Sequence, residues 1–356
     1  VDIITRRARA LPGLRINPLL GSSVQWMPDQ RTLLVKLVPE DRGAPPAQPS
    51  VPPGPKIQES LGVTAASSTY EARDVLKSPY DEALFDYYAA SQLALVRLPS
   101  GESVRVGLPG VIGRATPAPG GGYLLVERLH RPYSYNCAFY RFPTEVDILT
   151  TAGEPVEKIA SLPLFDQVPI EGVPTGPRNF EWHPIEAATV CWTEALDGGN
   201  PKTEVPQRDK VTLKPVGAPA VELVRTEERL NDVQWIERSG LALVSDFDPD
   251  KRWVRTFLID PGQRQAGPRQ VWSLSADEKY KNPGYPVTRM LPTGASAVLE
   301  QNGWIYLDGN GASPDGDRPF LDRLNLRTFR AERLFRCDRS SFEYFVAWVD
   351  PAAGTF

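Results

Sequence analysis

A strand and turn pattern between Gly176 and Leu213 constrains the fold of this chain more than any other feature. A short aromatic run at Phe180–His183 precedes a turn and an apolar segment at Ala188–Glu194. A Gly- and Pro-rich excursion, Asp197–Arg208, leads into a further apolar segment, Lys210–Lys214. Short strands joined by tight reversals are typical of one blade of a β-propeller. One copy alone would also fit a hairpin of another all-β protein, so repetition decides.

The first half of this pattern recurs along the chain. Trp26, Trp182 and Trp235 occupy equivalent places in three copies, and from Trp182 onward the copies return roughly every 50 residues, a period of blade size. We therefore expect the three tryptophans to hold matching positions in successive blades. The copies are Val24–Val38, Ala115–Leu129, Phe180–Glu194, Val233–Phe247 and Val287–Glu300, and Phe342–Asp350 opens one more.

A second hairpin lies between these markers, with alternating apolar and polar residues before a glycine-containing or polar turn. Two hairpins per period give four strands per period. The sequence therefore predicts an all-β propeller of four-stranded blades, about six or seven in number, with incomplete units at both ends. The second hairpins are Ser91–Gly107, Glu145–Ala160, Lys210–Val224, Arg255–Ser273 and Phe320–Phe335.

One insertion, residues 39–90, interrupts the propeller predicted over 1–356. Its first part, Pro39–Pro55, is proline-rich and predicts an extended surface excursion. Its second part, Tyr70–Ala90, predicts a helix, with Asp81 and Glu82 placed where a helix N-terminus favours negative charge. We interpret this helix as a cap on the propeller rim, and a lid over an opening is the alternative.

Composition excludes several functional classes. The 356 residues are 41% hydrophobic and carry a formal charge of −4, which argues against a nucleic-acid surface. No apolar run approaches the ~20 residues of a membrane span. The three cysteines form no metal-binding pair, and Cys191 reads as a small buried hydrophobe. The N-terminus shows no signal peptide, and because it lacks Met we interpret it as a cut end.

Sequence motifs for catalysis are missing. No GxSxG nucleophile elbow occurs, since Gly311–Asp315 lacks the final glycine. His130 and His183 stand near no Ser/Asp arrangement, and His183 reads as a structural residue of a turn. Asp246–Asp250 has alternating aspartates, but Lys251 replaces the glycine that a calcium loop needs. The sequence predicts no metal, no cofactor and no catalytic residue in this chain.

Three long ordered segments resemble the propeller of prolyl-oligopeptidase-family serine peptidases, most closely the glutamyl endopeptidase type. They are Tyr123–Ile148, Leu162–Trp182 and Glu194–Asp209. The resemblance implies an α/β-hydrolase domain of the same protein as partner, carrying a Ser, Asp and His that this chain lacks. It also implies that the first blade is missing and that the propeller caps the active site, filters peptide substrates and contributes subsite contacts. A soluble periplasmic or secreted location is favoured by the resemblance over a cytoplasmic one.

Two clusters are predicted to contact a peptide substrate. The basic and aromatic groups between Arg128 and Arg141 suit an acidic side chain, because guanidinium pairs bidentately with carboxylate. The alternative is that these arginines form salt bridges between blades while the tyrosines pack the rims. The predicted substrate contacts are Arg128, His130, Arg131, Tyr133, Tyr135, Arg141 and Arg208.

Two other functional classes stay open on the sequence. A stand-alone propeller could serve as a binding scaffold, since this fold hosts many functions. A propeller glycosidase would need two carboxylates converging on one site, which spacing along a chain cannot reveal.

Overall fold

The computed structural model describes residues 5–50, 75–169 and 171–348 of the chain. Two compact units divide it. The first unit comprises Val1–Pro177 with Ala187–Thr189 and Gly198–Thr203, and the second comprises Arg178–Glu186, Val190–Asp197 and Glu204–Phe356. Within the described ranges, no helix is both long and apolar enough to cross a membrane.

The first unit holds one antiparallel sheet whose seven strands follow chain order. Its last two strands form the hairpin predicted at Glu145–Ala160, and its first two strands lie in the copy predicted at Val24–Val38. The strands are β1 (Val24–Trp26), β2 (Thr32–Leu37), β3 (Ala90–Arg97), β4 (Ser103–Pro117), β5 (Tyr123–Leu129), β6 (Thr144–Thr150) and β7 (Pro155–Leu162).

Strand β4 serves two four-stranded halves of this sheet. Its segment 103–111 pairs with β3, and its segment 111–117 pairs with β5. The register with β3 shifts between Ser91 and Leu93, opposite the stretch that contains Pro109. A proline is tolerated in a strand at such a bulge because its missing N–H is not needed there. The long sheet is thus two blade-sized sheets that share one strand.

The predicted helix is α1, Pro79–Ala89. The Ser78 side chain accepts a hydrogen bond from the Asp81 N–H at 3.2 Å, and Asp81 and Glu82 lie in the first turn, as the sequence predicts. The Tyr87 hydroxyl donates to the Gly43 carbonyl at 2.8 Å, which ties the start of the insertion to the helix. Residues 40–50 form neither helix nor strand and are mostly exposed, while 51–74 lie outside the described residues.

The second unit holds four antiparallel sheets. One contains β8 (Pro177–Trp182), β9 (Thr189–Ala195), β10 (Asp209–Pro215) and β11 (Val221–Thr226). The next contains β12 (Arg229–Trp235), β13 (Ala242–Asp248), β14 (Trp253–Ile259) and β15 (Arg269–Ser275). The third joins β16 (Tyr285–Pro286), β19 (Glu300–Gln301), β20 (Trp304–Gly309), β21 (Phe320–Asn325) and β22 (Ala331–Arg336), and β17 (Thr288–Met290) pairs with β18 (Ser296–Val298).

Alternating residues of β13 build two separate cores of the second unit. Val244 packs with Val211 and Leu223, which lie on β10 and β11. Leu243 points to the opposite face and packs with Ile305 and other residues of the third sheet. Such two-sided burial is the reason that the strand begins with three consecutive apolar residues, 242–244.

The four-stranded sheets confirm the predicted all-β propeller class and every predicted second hairpin. The three tryptophans end the first strands β1, β8 and β12, as their equivalence in sequence implies. Their burial differs, since Trp26 is 55% exposed and Trp235 is 6% exposed.

The strand predicted to begin at Phe342 does not form in the described residues up to Trp348. Phe345 is instead buried in a small core with Tyr306 and Leu321, and the Trp348 ring lies 4.8 Å from the Tyr306 ring. The aromatic residues therefore pack as side chains on an existing sheet, and no neighbouring strand edge pairs with their backbone within the described part of the chain. The prediction that this stretch opens a further blade is wrong for these residues.

His183 is buried in the turn between β8 and β9, in agreement with its structural interpretation. Its Nδ1 accepts hydrogen bonds from the Ile185 and Glu186 N–H groups, both at 3.2 Å, and its ring centroid lies 3.8 Å from that of Trp235. Burial lowers the pKa of His183 to about 4 from an ordinary value of 6.5. The imidazole is therefore neutral at pH 7, with Nδ1 as the acceptor.

We expect this burial to make the stability of the fold depend on pH. Because the unfolded chain binds the His183 proton near pH 6.5 and the folded chain only near pH 4, stability is lost as pH falls through this window. The loss from this residue is about 3 kcal/mol by pH 4. Chemical denaturation from pH 7 to pH 4 measures it as the difference from His183→Asn, which keeps an acceptor but does not titrate. Parallel curves for the two proteins would contradict the assignment.

Candidate functional site

The predicted substrate loop, residues 130–143 between β5 and β6, lies against helix α1. The Arg131 guanidinium donates from Nε and Nη2 to Asp86 Oδ2 at 3.0 and 2.8 Å, and from Nη1 to Glu82. Glu82 and Asp86 are four residues apart on the helix, so both carboxylates lie on the face that meets the loop. We call this arrangement of Arg131, Glu82 and Asp86 the α1 clamp.

Tyr133 strengthens the α1 clamp from inside the loop. Its hydroxyl donates to Asp86 Oδ1, and its ring stacks on Phe142 at 4.7 Å and meets the edge of Phe85 at 5.2 Å. Burial, and next the hydrogen bond to Asp86, raise the pKa of Tyr133 well above its ordinary value. Tyr133 therefore stays protonated and acts as a buried anchor of the loop.

The α1 clamp gives this part of the loop a negative net charge, whereas the sequence suggested a basic cluster. Two carboxylates surround one guanidinium, so the three side chains together carry a net charge of about −1. Hydrogen bonds to Asp86, followed by its charge and that of Glu82, raise the pKa of Arg131 against a smaller opposing effect of burial. The cation is locked in its charged form and paired, and half of its side chain is still exposed.

Two predicted substrate contacts remain on the open side of the loop. His130 is 45% exposed at its side chain, with Nε2 lying 3.5 Å from Glu145 and Nδ1 lying 2.6 Å from the Arg131 carbonyl oxygen. Tyr135 is 41% exposed, and partial burial followed by a hydrogen bond to Glu82 raises its pKa. Tyr140, which is not among the predicted substrate contacts, is more exposed still. These three rings form the exposed rim of the loop.

Arg128 and Arg141 flank the same loop. Arg128 lies on β5, half-buried, and its Nε is a buried donor without a partner among the described residues. The Arg141 carbonyl accepts the Phe165 N–H at 2.9 Å, which fastens the end of the loop to the segment after β7. The structure thus brings six of the seven predicted residues into one loop and its supporting strand.

Arg208 belongs to a different cluster, in the second unit. It reaches Asp197 through Nη1 at 3.2 Å and Glu228 through Nε at 3.3 Å. Arg229 bonds the same Asp197 and also Asp209, at 2.8 Å. Arg208 is therefore one member of a partly buried ion network.

The centre of this network is Asp209, whose side chain is completely buried. It accepts from Arg178 Nη2 at 2.6 Å, from Arg229 Nη1 at 2.8 Å and from the Leu230 N–H at 2.8 Å. These partners begin β8 and β12, while Asp209 begins β10, so one carboxylate joins the ends of two sheets within the second unit. Arg178, Arg229 and Asp209 are not among the residues predicted from the sequence, because their partners lie 20 or more residues away along the chain.

Metal binding has no support in the described ranges, where no group of three or more His, Cys, Asp or Glu side chains has suitable geometry. Asp248, from the aspartate run, instead accepts from the N–H groups of Asp250 and Lys251 and pairs with Lys251 Nζ at 2.7 Å. All three cysteines are free and buried, and burial raises the pKa of Cys191 to about 12. Cys191 is thus the small buried hydrophobe that the sequence predicts.

Two curated relatives match almost the whole chain. A probable chloroplastic glutamyl endopeptidase of Oryza sativa subsp. japonica is 36% identical over 358 residues, which cover 96% of this chain. Its counterpart in Arabidopsis thaliana is 35% identical and covers 97% of this chain. The chain is a relative of the glutamyl endopeptidases. The resemblance predicted from the sequence is therefore confirmed, although the chain spans only 37% of the length of each of these relatives.

Solved structures give weaker similarities. Prolyl oligopeptidase B of Galerina marginata aligns over 90% of this chain and 36% of its own, with 12% identity and a TM-score of 0.42. The β-propeller domain of the Trilobed protease from Pyrococcus furiosus aligns over 88% of this chain and 70% of its own, with 10% identity and a TM-score of 0.41. No protein-family model matches the chain.

Proposed function

We propose that this chain is the β-propeller part of a serine peptidase, in which it caps the active site of an α/β-hydrolase domain and restricts entry to peptides. The observation that carries the proposal is the similarity to glutamyl endopeptidases over nearly all of the chain, which covers little more than a third of their length. The proposal includes peptide substrates and the hydrolase partner. The periplasmic or secreted location stays a prediction from the resemblance.

We propose two roles for the seven predicted substrate contacts. Arg131 and Tyr133 hold the loop on α1, because both are engaged with Asp86, and Arg208 serves the ion network of the second unit. The residues that meet a peptide are then Arg128, His130, Tyr135 and Arg141. In this division the α1 clamp fixes the loop, while His130 and Tyr135 of the exposed rim, together with the flanking Arg128 and Arg141, provide hydrogen bonds and aromatic surface to the substrate.

This division of roles supports a rim that selects substrates and takes no part in peptide-bond cleavage. A fixed loop with exposed rings narrows the space that a substrate can use at little entropic cost, since the loop is ordered before binding. The exposed His130 and Tyr135 offer donors and acceptors to a peptide backbone or side chain. No step of bond cleavage is assigned to any of these groups.

The test is Arg131→Ala in the complete peptidase, with kinetics on a glutamyl peptide and on its glutaminyl counterpart. We expect kcat/KM to fall for both substrates by the same factor, about 3- to 10-fold, because the change loosens the loop without removing a substrate contact. Arg225→Ala is the matched control, since Arg225 is a similarly exposed arginine paired with Glu222 on β11. A loss confined to the glutamyl peptide would show that Arg131 contacts the acidic side chain directly and would overturn the positioning role.

A further inference from the structure

An arginine-rich turn joins β21 to β22 in the second unit. The stretch Phe320–Arg336 contains five arginines and only two acidic residues, although the whole chain has a formal charge of −4. Arg327 and Arg330 lie in this turn and are exposed, and the exposed Arg269, at the start of β15, reaches it from the neighbouring sheet. We call Arg269, Arg327 and Arg330 the arginine turn.

The arginine turn differs from its surroundings in having no counter-ion. On the adjoining strands, Arg323 donates to Glu332 at 2.9 and 2.6 Å, and Arg333 Nη2 donates to Asp322 at 3.0 Å. Within the part of the chain that the structure describes, no carboxylate lies within 4 Å of a guanidinium nitrogen of the arginine turn. The acidic residues nearby are therefore already used by other arginines.

Hydrogen bonds fix the backbone of the turn. The Asn325 Oδ1 accepts the N–H groups of Arg327 and Thr328 at 3.1 and 3.0 Å, and the Phe329 N–H donates to the Asn325 carbonyl at 2.8 Å. The Asn325 N–H in turn donates to the Arg330 carbonyl at 3.0 Å. Because the backbone is ordered in advance, binding a ligand here costs only the freedom of side chains.

Arg269 brings its charge to the turn from another sheet. Its Nη1 and Nη2 donate to the Leu326 and Arg327 carbonyls at 3.5 and 2.6 Å. Its guanidinium also lies over the Phe329 ring, 4.4 Å from the centroid, as in a cation–π contact. Phe329 has φ +58°, a left-handed conformation that is uncommon for a bulky residue. The Arg269 guanidinium therefore lies against the Arg327 backbone and is satisfied by carbonyls and a ring, with its charge left over.

Three like charges around one turn repel one another, and no carboxylate among the described residues offsets this repulsion. An anion that contacts more than one of the arginines removes the repulsion. Guanidinium pairs with carboxylate or phosphate in a bidentate way, so the ligand carries one of these two groups.

The surroundings of the turn favour carboxylates over a nucleic acid. A duplex presents one phosphate charge every ~1.7 Å along its axis and needs an extended basic surface. Here the carboxylates of Asp322 and Glu332 interrupt the basic surface next to the turn. Single strands bind by stacking bases on aromatic rings, but the Phe329 ring is half-buried and lies under Arg269.

We propose that the arginine turn binds an acidic peptide segment of a partner protein, with two or three Asp or Glu side chains paired to these arginines. The segment supplies the counter-ions that the described chain does not. The inference is independent of the proposed peptidase role, because it concerns binding and involves no cleavage.

The test is binding of fluorescein-labelled hexaglutamate to this chain, followed by fluorescence anisotropy at an ionic strength of about 20 mM, where exposed charges are weakly screened. We expect saturable binding that weakens by about 3-fold or more in Arg327→Gln and in Arg330→Gln, and by about 10-fold or more in the double variant. Both side chains are exposed, so we expect the double variant to unfold at the same or a higher temperature, since repulsion is relieved.

Arg336→Gln is the matched control. Arg336 is also exposed and loses the same charge, but it lies at the far end of β22, about 20 Å from Arg330 along the strand. We expect its affinity for hexaglutamate to stay unchanged.

Three outcomes would overturn the proposal. The first is no saturable binding of hexaglutamate up to about 1 mM, or an affinity that falls as much in Arg336→Gln as in Arg330→Gln. The second is a double variant that binds as tightly as the unaltered chain but unfolds at a lower temperature, which would make these arginines structural. The third is displacement of the peptide by hexauridylate at lower concentrations than by unlabelled hexaglutamate, which would assign the turn to a nucleic acid.

Discussion

Asp209→Asn is expected to destabilise this chain by about 3 kcal/mol or more. The carboxylate is completely buried and bonds Arg178, Arg229 and a backbone N–H. Removing its charge takes this counter-ion from Arg178, whose side chain is only 12% exposed, and leaves Arg229 to share Asp197 with Arg208. Breaking a buried pair on one side costs ~3–5 kcal/mol, much more than the pair contributes when intact. Urea unfolding at pH 7 measures the change as a shift in midpoint at constant slope.

Asp277→Asn is the control for this variant. Asp277 also accepts two guanidinium hydrogen bonds, both from Arg252, at 2.7 and 2.9 Å, but both side chains are about 60% exposed. A solvated pair of this kind contributes little to stability, because water and salt screen it, so we expect Asp277→Asn to leave the unfolding midpoint nearly unchanged. Equal effects of the two substitutions would mean that burial does not decide the strength of the Asp209 network, and our description of its role would fail.

The hairpins were predictable because their signals are local. An alternating strand, a glycine turn such as Ser239-Gly240 and a second strand all lie within about 15 residues of sequence, and the structure has each predicted pair. The helix start at Asp81 and Glu82 is local in the same sense. Repetition of these units then specified the fold class without any long-range information.

Two features of the fold depend on distant partners and escaped prediction. One predicted hairpin ends at Gly107 and the next predicted copy begins at Ala115, yet β4 is continuous from Ser103 to Pro117. The register shift with β3 places Pro109 at a bulge, where a strand tolerates proline. The stretch after Phe342 reads as a strand, yet its described part packs aromatic rings on β20 and β21. In both cases the decisive element is the neighbouring strand edge, which the local sequence does not contain.

In the candidate site, too, local features were predictable from the sequence and contacts between distant residues were not. The density of basic and aromatic residues around Arg131 drew attention to one loop, but it did not predict the loop's partner, a helix 45 residues earlier in the chain. The i,i+4 spacing of Glu82 and Asp86 indicates an acidic helix face, but nothing in the local sequence predicts that this face binds Arg131. Nothing local connected Arg208 with Asp197 and Glu228, because ion networks form between the ends of different strands.

The largest expected effect concerns catalysis, which we expect to be absent from this chain. The sequence has no nucleophile elbow, and His183, the buried histidine, is a neutral acceptor in a turn with no serine bonded to it in the described residues. A serine nucleophile needs a hydrogen-bonded base to be active at neutral pH. Full activity should therefore require the hydrolase domain that we propose as the partner.

The measurement that tests this account most directly compares the complete protein with this chain alone. Both are incubated with glutamyl peptides of increasing length, with a folded protein rich in surface glutamate, and with a fluorophosphonate that labels activated serines. We predict that the complete protein cleaves the peptides, spares the folded protein and is labelled once, at a serine outside residues 1–356. This chain should show neither turnover nor labelling. Labelling of a serine within this chain, or a complete protein that leaves glutamyl peptides intact, would contradict the account.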